Sequence, residues 1–330
     1  MSDKYYIYFT GWWNGFFNKS DKCNISFFEK LFSYTKIKNF EITNDLSKAN
    51  ILFQNGKSSK NLLKLKKWKK TIVFNSEPIM PIYENYDIVM NSLNENIYKN
   101  YHNCLVNNIK PENLGFIILD NEKEMMEKHK LVLSKHLQLG NGLMYIYGNN
   151  YLEKLKNRPI IKTIPPYFCC FLVSNSKCSI RNKMFQELNK YKKINSGGRY
   201  CNNVVVKGNW MSENHLKFIS QHKFIICFEN SLFNPFTEKI VNAYLAKSIP
   251  IYWSAKFMKN VFNPESMIFL EDTTDDSYKN VINKVIEIDN DDCKYVEMIN
   301  KPLFNTENKI FWNNHFSLEA LGIKLNALLD

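Results

Sequence analysis

The residues best suited to chemistry lie between Lys223 and Trp253, which read KFIICFENSLFNPFTEKIVNAYLAKSIPIYW. The apolar run Lys223–Phe228 predicts a strand buried on both faces, with Glu229 and Asn230 delivered at its end. A loop containing Phe233, Pro235 and Phe236 follows. Thr237 then stands where a helix N-cap belongs, and Glu238 and Lys239 open a helix with apolar spacing at Ile240, Ala243 and Tyr244. A helix N-terminus presents outward amides and partial positive charge, so it attracts anions. Lys239 adds a full charge there, and Glu238 offers acceptors for sugar hydroxyls. Together they form a seat for a sugar phosphate. The same residues also describe an ordinary capped helix with solvated Glu238 and Lys239.

Positioning such a seat requires strands and helices in alternation, and the chain supplies them from end to end. Strands are predicted at Tyr5–Phe9, Asn50–Gln54, Thr71–Asn75, Tyr86–Met90, Asn113–Asp120, Tyr167–Val173, Lys223–Phe228, Ile249–Trp253 and Ser266–Leu270. Helices are predicted at Ser26–Ser33, through the lysine-rich run Leu62–Lys70, at Glu122–Leu139, Ile180–Tyr191, Glu213–His222 and Glu238–Lys247, and after Asp275. The lysine-rich run could be a nucleic-acid patch, or a helix with a solvated lysine face and Leu62, Leu65 and Trp68 turned inward. Tyr98–Pro111 reads as loop. Such βα alternation implies α/β domains with mainly parallel sheets. The stretch Asn157–Pro166, with two adjacent prolines, marks a boundary. The expected architecture is two Rossmann-like α/β domains facing across a cleft, over 1–160 and 161–302, with a helical tail at 303–330.

Composition excludes several classes. The 330 residues are 45% hydrophobic and 23% charged, which fits a packed globular chain and no disordered tail. No apolar run is long enough to span a membrane, and the first residues do not form a secretory signal, so a cytoplasmic location is expected. The eight cysteines contain no CxxC pair, and free thiols are expected. The acidic pieces Asp275–Asp276 and Asp289–Asp292 read as helix caps and surface acids, so no metal site is expected. The net charge of +12 favours anionic partners, among them nucleic acid and phosphorylated small molecules. Only Arg158, Arg181 and Arg199 are arginines, against the usual habit of nucleic-acid readers, and no nucleic-acid partner is expected.

The stretch Phe228-Glu229-Asn230-Ser231, then Thr237-Glu238-Lys239, then Ser248-Ile249-Pro250-Ile251-Tyr252-Trp253, resembles the donor-binding signature of the α-1,3/4-fucosyltransferases, glycosyltransferase family 10. Phe171–Asn175 with Ile180-Arg181-Asn182 is similar to that family's strand, SN loop and arginine-bearing helix, and Ser196-Gly197-Gly198-Arg199 to its glycine turn. Trp12-Trp13 is similar to the paired tryptophans of its soluble bacterial branch. The resemblance is close over 167–270 and weak but collinear before it. It implies a GT-B enzyme that moves L-fucose from GDP-β-L-fucose to a GlcNAc hydroxyl of an N-acetyllactosamine-type acceptor, with inversion, α-1,3 favoured over α-1,4, and no cofactor. Carried over by position, it implies Glu77 as general base. Arg181 and Lys239 would contact the diphosphate, Asn230 would lie beside it, and Glu238 would bind ribose or fucose hydroxyls. Asn175, Arg199 and Thr237 would support the donor site, and Trp12 and Trp13 could stack on the acceptor or serve the core. Where the family often has tyrosine two residues before the threonine, this chain has Pro235, followed by Phe236, whose ring can stack but not hydrogen-bond. A GT-B transferase using another nucleotide sugar is the alternative enzyme reading.

Overall fold

Two parallel sheets organise the chain. The computed structural model describes all residues except 1–3, 20–22, 57, 59, 66, 76–84, 115–116, 129–132, 211 and 234–235. It divides into two units: 1–149 with 231–235 and 311–330, and 150–230 with 236–310.

In the first unit the chain runs β1 (Tyr5–Thr10), α1 (Ser26–Ser33), β2 (Phe40–Ile42), β3 (Ile51–Asn55), β4 (Lys70–Asn75), β5 (Ile88–Asn91), α2 (Glu95–Val106), α3 (Asp120–Lys128), β6 (His136–Gln138) and α4 (Asn141–Gly148). The strands pair in parallel in the order β2-β1-β3-β4-β5-β6. The second unit holds α5 (Tyr151–Lys156), β7 (Tyr167–Phe171), α6 (Ser179–Tyr191), β8 (Asn195–Ser196), α7 (Glu213–Ser220), β9 (His222–Ile226), α8 (Glu238–Ala246), β10 (Ile249–Tyr252), α9 (Met258–Val261), β11 (Ile268–Phe269), α10 (Asp275–Asp289) and α11 (Asp292–Ile299). Its strands are also parallel, in the order β11-β10-β9-β7-β8. The chain closes with α12 (Thr306–His315) and α13 (Leu318–Leu329).

The cores follow from local chemistry. β3 and β9 are buried at every residue, as a central parallel strand requires. In α1, Phe27, Phe28, Leu31 and Phe32 form the inward stripe. α13 lies so close to α1 that a Cβ on Gly322 would meet Tyr34 at 2.6 Å, and only glycine permits that approach. Among the described residues no helix is long and apolar enough to cross a membrane. None of the eight cysteines is in a disulfide among the described residues.

Four expectations change in the first unit. The lysine run forms only a short 3-10 turn at Lys60–Lys64, and Leu65 is exposed rather than inward. β4 already begins at Lys70, leaving too few residues to repay helix nucleation. Where a strand is expected over Asn113–Asp120, the described residues hold a 3-10 turn at Pro111–Leu114 and the start of α3 at Asp120. The long helix expected over Glu122–Leu139 stops at Lys128, because His136–Gln138 pairs with β5 as β6. Tyr98–Pro111 lies largely in α2, capped by Asn94 and buried at Tyr98, Tyr101 and Cys104. That stripe is aromatic and sparse among polar residues, so its periodicity is faint. Among the acidic pieces, Asp291 caps α11, but Asp289 is buried and paired with Lys192 at 3.0 Å.

Candidate active site

In an open parallel sheet, ligands bind beyond the carboxyl ends of the strands where the order reverses. In the second unit that point lies between β7 and β9. The segment after β7 carries Asn175 and leads into α6 with Arg181; the segment after β9 carries Glu229 and Asn230 and leads towards α8. Asn175, Arg181 and Asn230, named from the sequence, therefore lie on segments beside that reversal.

Arg181 is 1% exposed. One terminal nitrogen donates to Asn230 Oδ1 at 2.6 Å and the other to the Asn175 carbonyl at 2.7 Å. Its Nε is buried and has no hydrogen-bond partner among the described residues. Burial pulls this guanidinium below its ordinary pKa, with Glu229 among the charges acting in opposition. Both Asn175 and Asn230 are exposed, so Arg181 is covered by groups that themselves face solvent.

Glu229 holds the far side together. Fully buried, it accepts from Thr237 N (2.9 Å), Thr237 Oγ1 (2.8 Å) and Tyr252 OH (3.2 Å), and its Oε2 lies 3.7 Å from Lys239 Nζ. One carboxylate thus ties the end of β9 to β10 and to the first turn of α8. Burial raises its pKa, while Lys239 and Thr237 oppose the rise. Thr237 is the N-cap, its hydroxyl accepting from Lys239 N at 3.4 Å. Lys239 Nζ reaches Thr237 Oγ1 at 3.1 Å and Glu238 Oε1 at 3.4 Å, and its side chain stays partly exposed. Burial would lower the pKa of Lys239, but Glu238 and Glu229 outweigh it and the net shift is upward. The ammonium is therefore firmly charged and held at the helix start.

Arg199 sits on the turn after β8 and is exposed. That turn packs against the end of β7: a Cβ on Gly198 would lie 2.0 Å from the Val173 carbonyl, and Tyr200 N donates to the same oxygen at 3.0 Å. Phe236 differs from the expectation of a ring free to stack on a ligand. It is 1% exposed and edge-on to Phe262, with centroids 5.2 Å apart, because the second unit's core claims it. Among the described residues no three His, Cys, Asp or Glu side chains gather as metal ligands do.

In the first unit, Trp12 and Trp13 follow β1, beside the β1/β3 reversal. Trp12 stacks on Phe16 at 3.9 Å and on Phe74 at 5.5 Å, with Phe53 and Phe28 edge-on. Trp13 keeps 37% of its surface exposed. Glu77 lies outside the described residues.

Sequence reasoning gave no role to Glu229 or Glu122. Glu122, 1% exposed in the first unit, accepts from Ser231 Oγ and from Leu232 N at 2.9 Å, and so fixes Ser231 and Leu232 there. For Glu229 the available signal was an acid closing an apolar strand; for Glu122 there was none.

The chain matches the family described as glycosyltransferase family 10 (fucosyltransferase) C-term over residues 166–321, the stretch that includes every charged residue of this cluster. Residues 166–321 are thus similar to glycosyltransferase family 10. Sequence relatives agree. An alpha-(1,3)-fucosyltransferase of Helicobacter pylori is 29% identical over 165 residues, covering 49% of this chain and 33% of that protein. The 4-galactosyl-N-acetylglucosaminide 3-alpha-L-fucosyltransferase 9 of Bos taurus is 26% identical over 193 residues, covering 57% of this chain and 50% of that protein. The chain thus spans half or less of the length of these relatives. A solved structure described as alpha1,3-fucosyltransferase with GDP-fucose superimposes with a TM-score of 0.62 at 18% identity, covering 100% of this chain and 92% of that one. The shared fold is α/β with parallel sheets, of the GT-B type.

Proposed function

We propose that this protein is an inverting fucosyltransferase that moves L-fucose from GDP-β-L-fucose to a GlcNAc hydroxyl of an N-acetyllactosamine-type oligosaccharide, forming α-1,3 rather than α-1,4 linkages and requiring no cofactor. The observation that carries this reading is the convergence of Arg181 and Lys239 on the Glu229-Asn230 corner of a family 10 domain. The activities named for the relatives suggest the sugar and the linkage.

In this mechanism the second unit takes the donor and the first the acceptor. Glu77 removes the acceptor proton as attack begins. The anomeric carbon becomes oxocarbenium-like as its bond to the diphosphate lengthens. Negative charge grows on the departing GDP, where Arg181, Lys239 and the amides opening α8 stabilise it. Asn230 lies beside the diphosphate, Asn175 and Arg199 flank it, and Glu238 binds ribose or fucose hydroxyls. Trp13, the more exposed of the pair, offers a face for a sugar ring.

One observation favours a second reading. Phe236 is committed to the core, and Pro235 replaces the tyrosine, so the loop lacks a hydroxyl contact and a different nucleotide sugar could be the donor. Incubation with N-acetyllactosamine and, separately, GDP-fucose, GDP-mannose or UDP sugars tests both. Fucose on O3 of GlcNAc, from GDP-fucose alone, is the expected product. Transfer from another donor, or none, would overturn the reading.

A further inference from the structure

The rim of the first sheet opposite Trp12 and Trp13 is lined with lysine. All six strands are parallel, so all begin at this rim. Lys4 precedes β1, Lys38 lies two residues before β2, Lys48 three before β3, Lys69 and Lys70 open β4, and Lys135 precedes β6. Only β5 is preceded by an acid, Asp87, which accepts from Thr71 N and Oγ1 at 2.7 Å. Lys4, Lys38, Lys48 and Lys69 are exposed. One carboxylate, Glu41, is shared by Lys4 at 2.9 Å and Lys48 at 2.8 Å. Aromatic rings lie among these cations: Lys4 and Lys48 stand over Tyr6 at 5.4 and 4.3 Å, Lys69 over Tyr5 at 5.8 Å, and Lys67 over Trp68 at 4.5 Å. Tyr5, Tyr6 and Trp68 are each half-buried.

The corresponding rim of the second sheet is built differently. Lys192, before β8, and Lys223, in β9, both pair with the buried carboxylate of Asp289, at 3.0 and 3.4 Å, and Lys223 also reaches Asp292 at 3.3 Å. There the shared carboxylate is buried, whereas Glu41, which Lys4 and Lys48 share in the first unit, is partly exposed, and Lys38 and Lys69 face water.

We propose that the lysine rim of the first unit docks on an anionic lipid bilayer. The chemistry favours a bilayer over nucleic acid. All three arginines, the side chains suited to bidentate contacts with bases and phosphates, lie in the second unit. Lysines are hydrated point charges that respond to the diffuse field of headgroups, each worth roughly fivefold in binding. Tyrosine and tryptophan, apolar with a polar tip, suit the headgroup depth. Docked this way, the first unit keeps the carboxyl ends of β1 and β3, the ligand-binding edge of such a sheet, directed away from the bilayer. This inference is independent of the transferase reading.

The test is sedimentation of the full chain with phosphatidylcholine vesicles, with and without phosphatidylglycerol, across a salt series. Binding is expected to require phosphatidylglycerol and to weaken with salt. The triple substitution Lys38→Gln, Lys48→Gln and Lys69→Gln should weaken it about a hundredfold. The same change of net charge on exposed residues of the second unit, Lys190→Gln, Lys279→Gln and Lys284→Gln, should leave it within about twofold. Equal loss in both variants, binding indifferent to phosphatidylglycerol, or displacement from vesicles by sub-stoichiometric random duplex DNA would each overturn the proposal.

Discussion

The two sheets share a strand order but carry opposite kinds of side chain at their ligand edges. Numbered within its own unit, each begins 2-1-3-4-5, with its reversal between the first and third strands. In the second unit that reversal carries Arg181, Glu229, Asn230 and Lys239, charged or strongly polar and braced by one buried carboxylate. In the first it carries Trp12 and Trp13 over a bed of Phe16, Phe53 and Phe74. The fold supplies the location, and the residues beyond the strands decide what it holds. A charged edge suits a diphosphate, whose charge grows as it leaves. An aromatic edge suits a neutral sugar, which offers C–H faces and hydroxyls.

Substitutions can break that comparison. The largest effect is expected for Trp12→Ala, which opens a void among Phe16, Phe28, Phe53 and Phe74 and should cost about 3 kcal/mol of stability. Chemical denaturation measures it; a loss below about 1 kcal/mol would mean that Trp12 is not a core residue. Next is Glu77→Gln, expected to cut turnover by ~100-fold while GDP affinity holds. Near-normal turnover would remove Glu77 from the role of base. Trp13→Ala should be smaller, about 1 kcal/mol, read as a roughly fivefold rise in acceptor KM with donor KM unchanged. A change confined to donor KM would reverse the assignment of the two edges. Smallest is the pH response. Because Glu238 and Glu229 outweigh burial and hold the Lys239 ammonium above the ordinary lysine range, its charge persists through neutrality, and GDP affinity should not fall through loss of that charge between about pH 6 and about pH 9. A fall in that window that disappears with Lys239→Ala would show that Glu238 and Glu229 do not hold the proton on.

The second unit was the more legible in sequence, for a physical reason. Its strands are short apolar runs; α6, expected over Ile180–Tyr191, is found over Ser179–Tyr191, and α8, capped by Thr237 and expected over Glu238–Lys247, ends at Ala246. In the first unit tertiary pairing overrode local pattern: His136–Gln138 joins the sheet because β5 presents an open edge, and nothing local announces it. The candidate site divides in the same way. Arg181, Asn230, Thr237 and Lys239 were legible because their spacing is that of a motif. Glu229 lies inside that motif, but its work depends on Tyr252, which the chain brings to it only on folding. Phe236 was misjudged because a loop phenylalanine facing a ligand and one facing Phe262 read alike in sequence.

The most direct test is calorimetric titration of GDP into the protein and its Lys239→Ala variant, with circular dichroism to confirm that both are folded. The account predicts one GDP per chain and a loss of about 1.5–3 kcal/mol in the variant, the scale of one charge-assisted contact. Equal affinity in two folded proteins would contradict it, since the charge at the start of α8 would then have no part in holding the diphosphate.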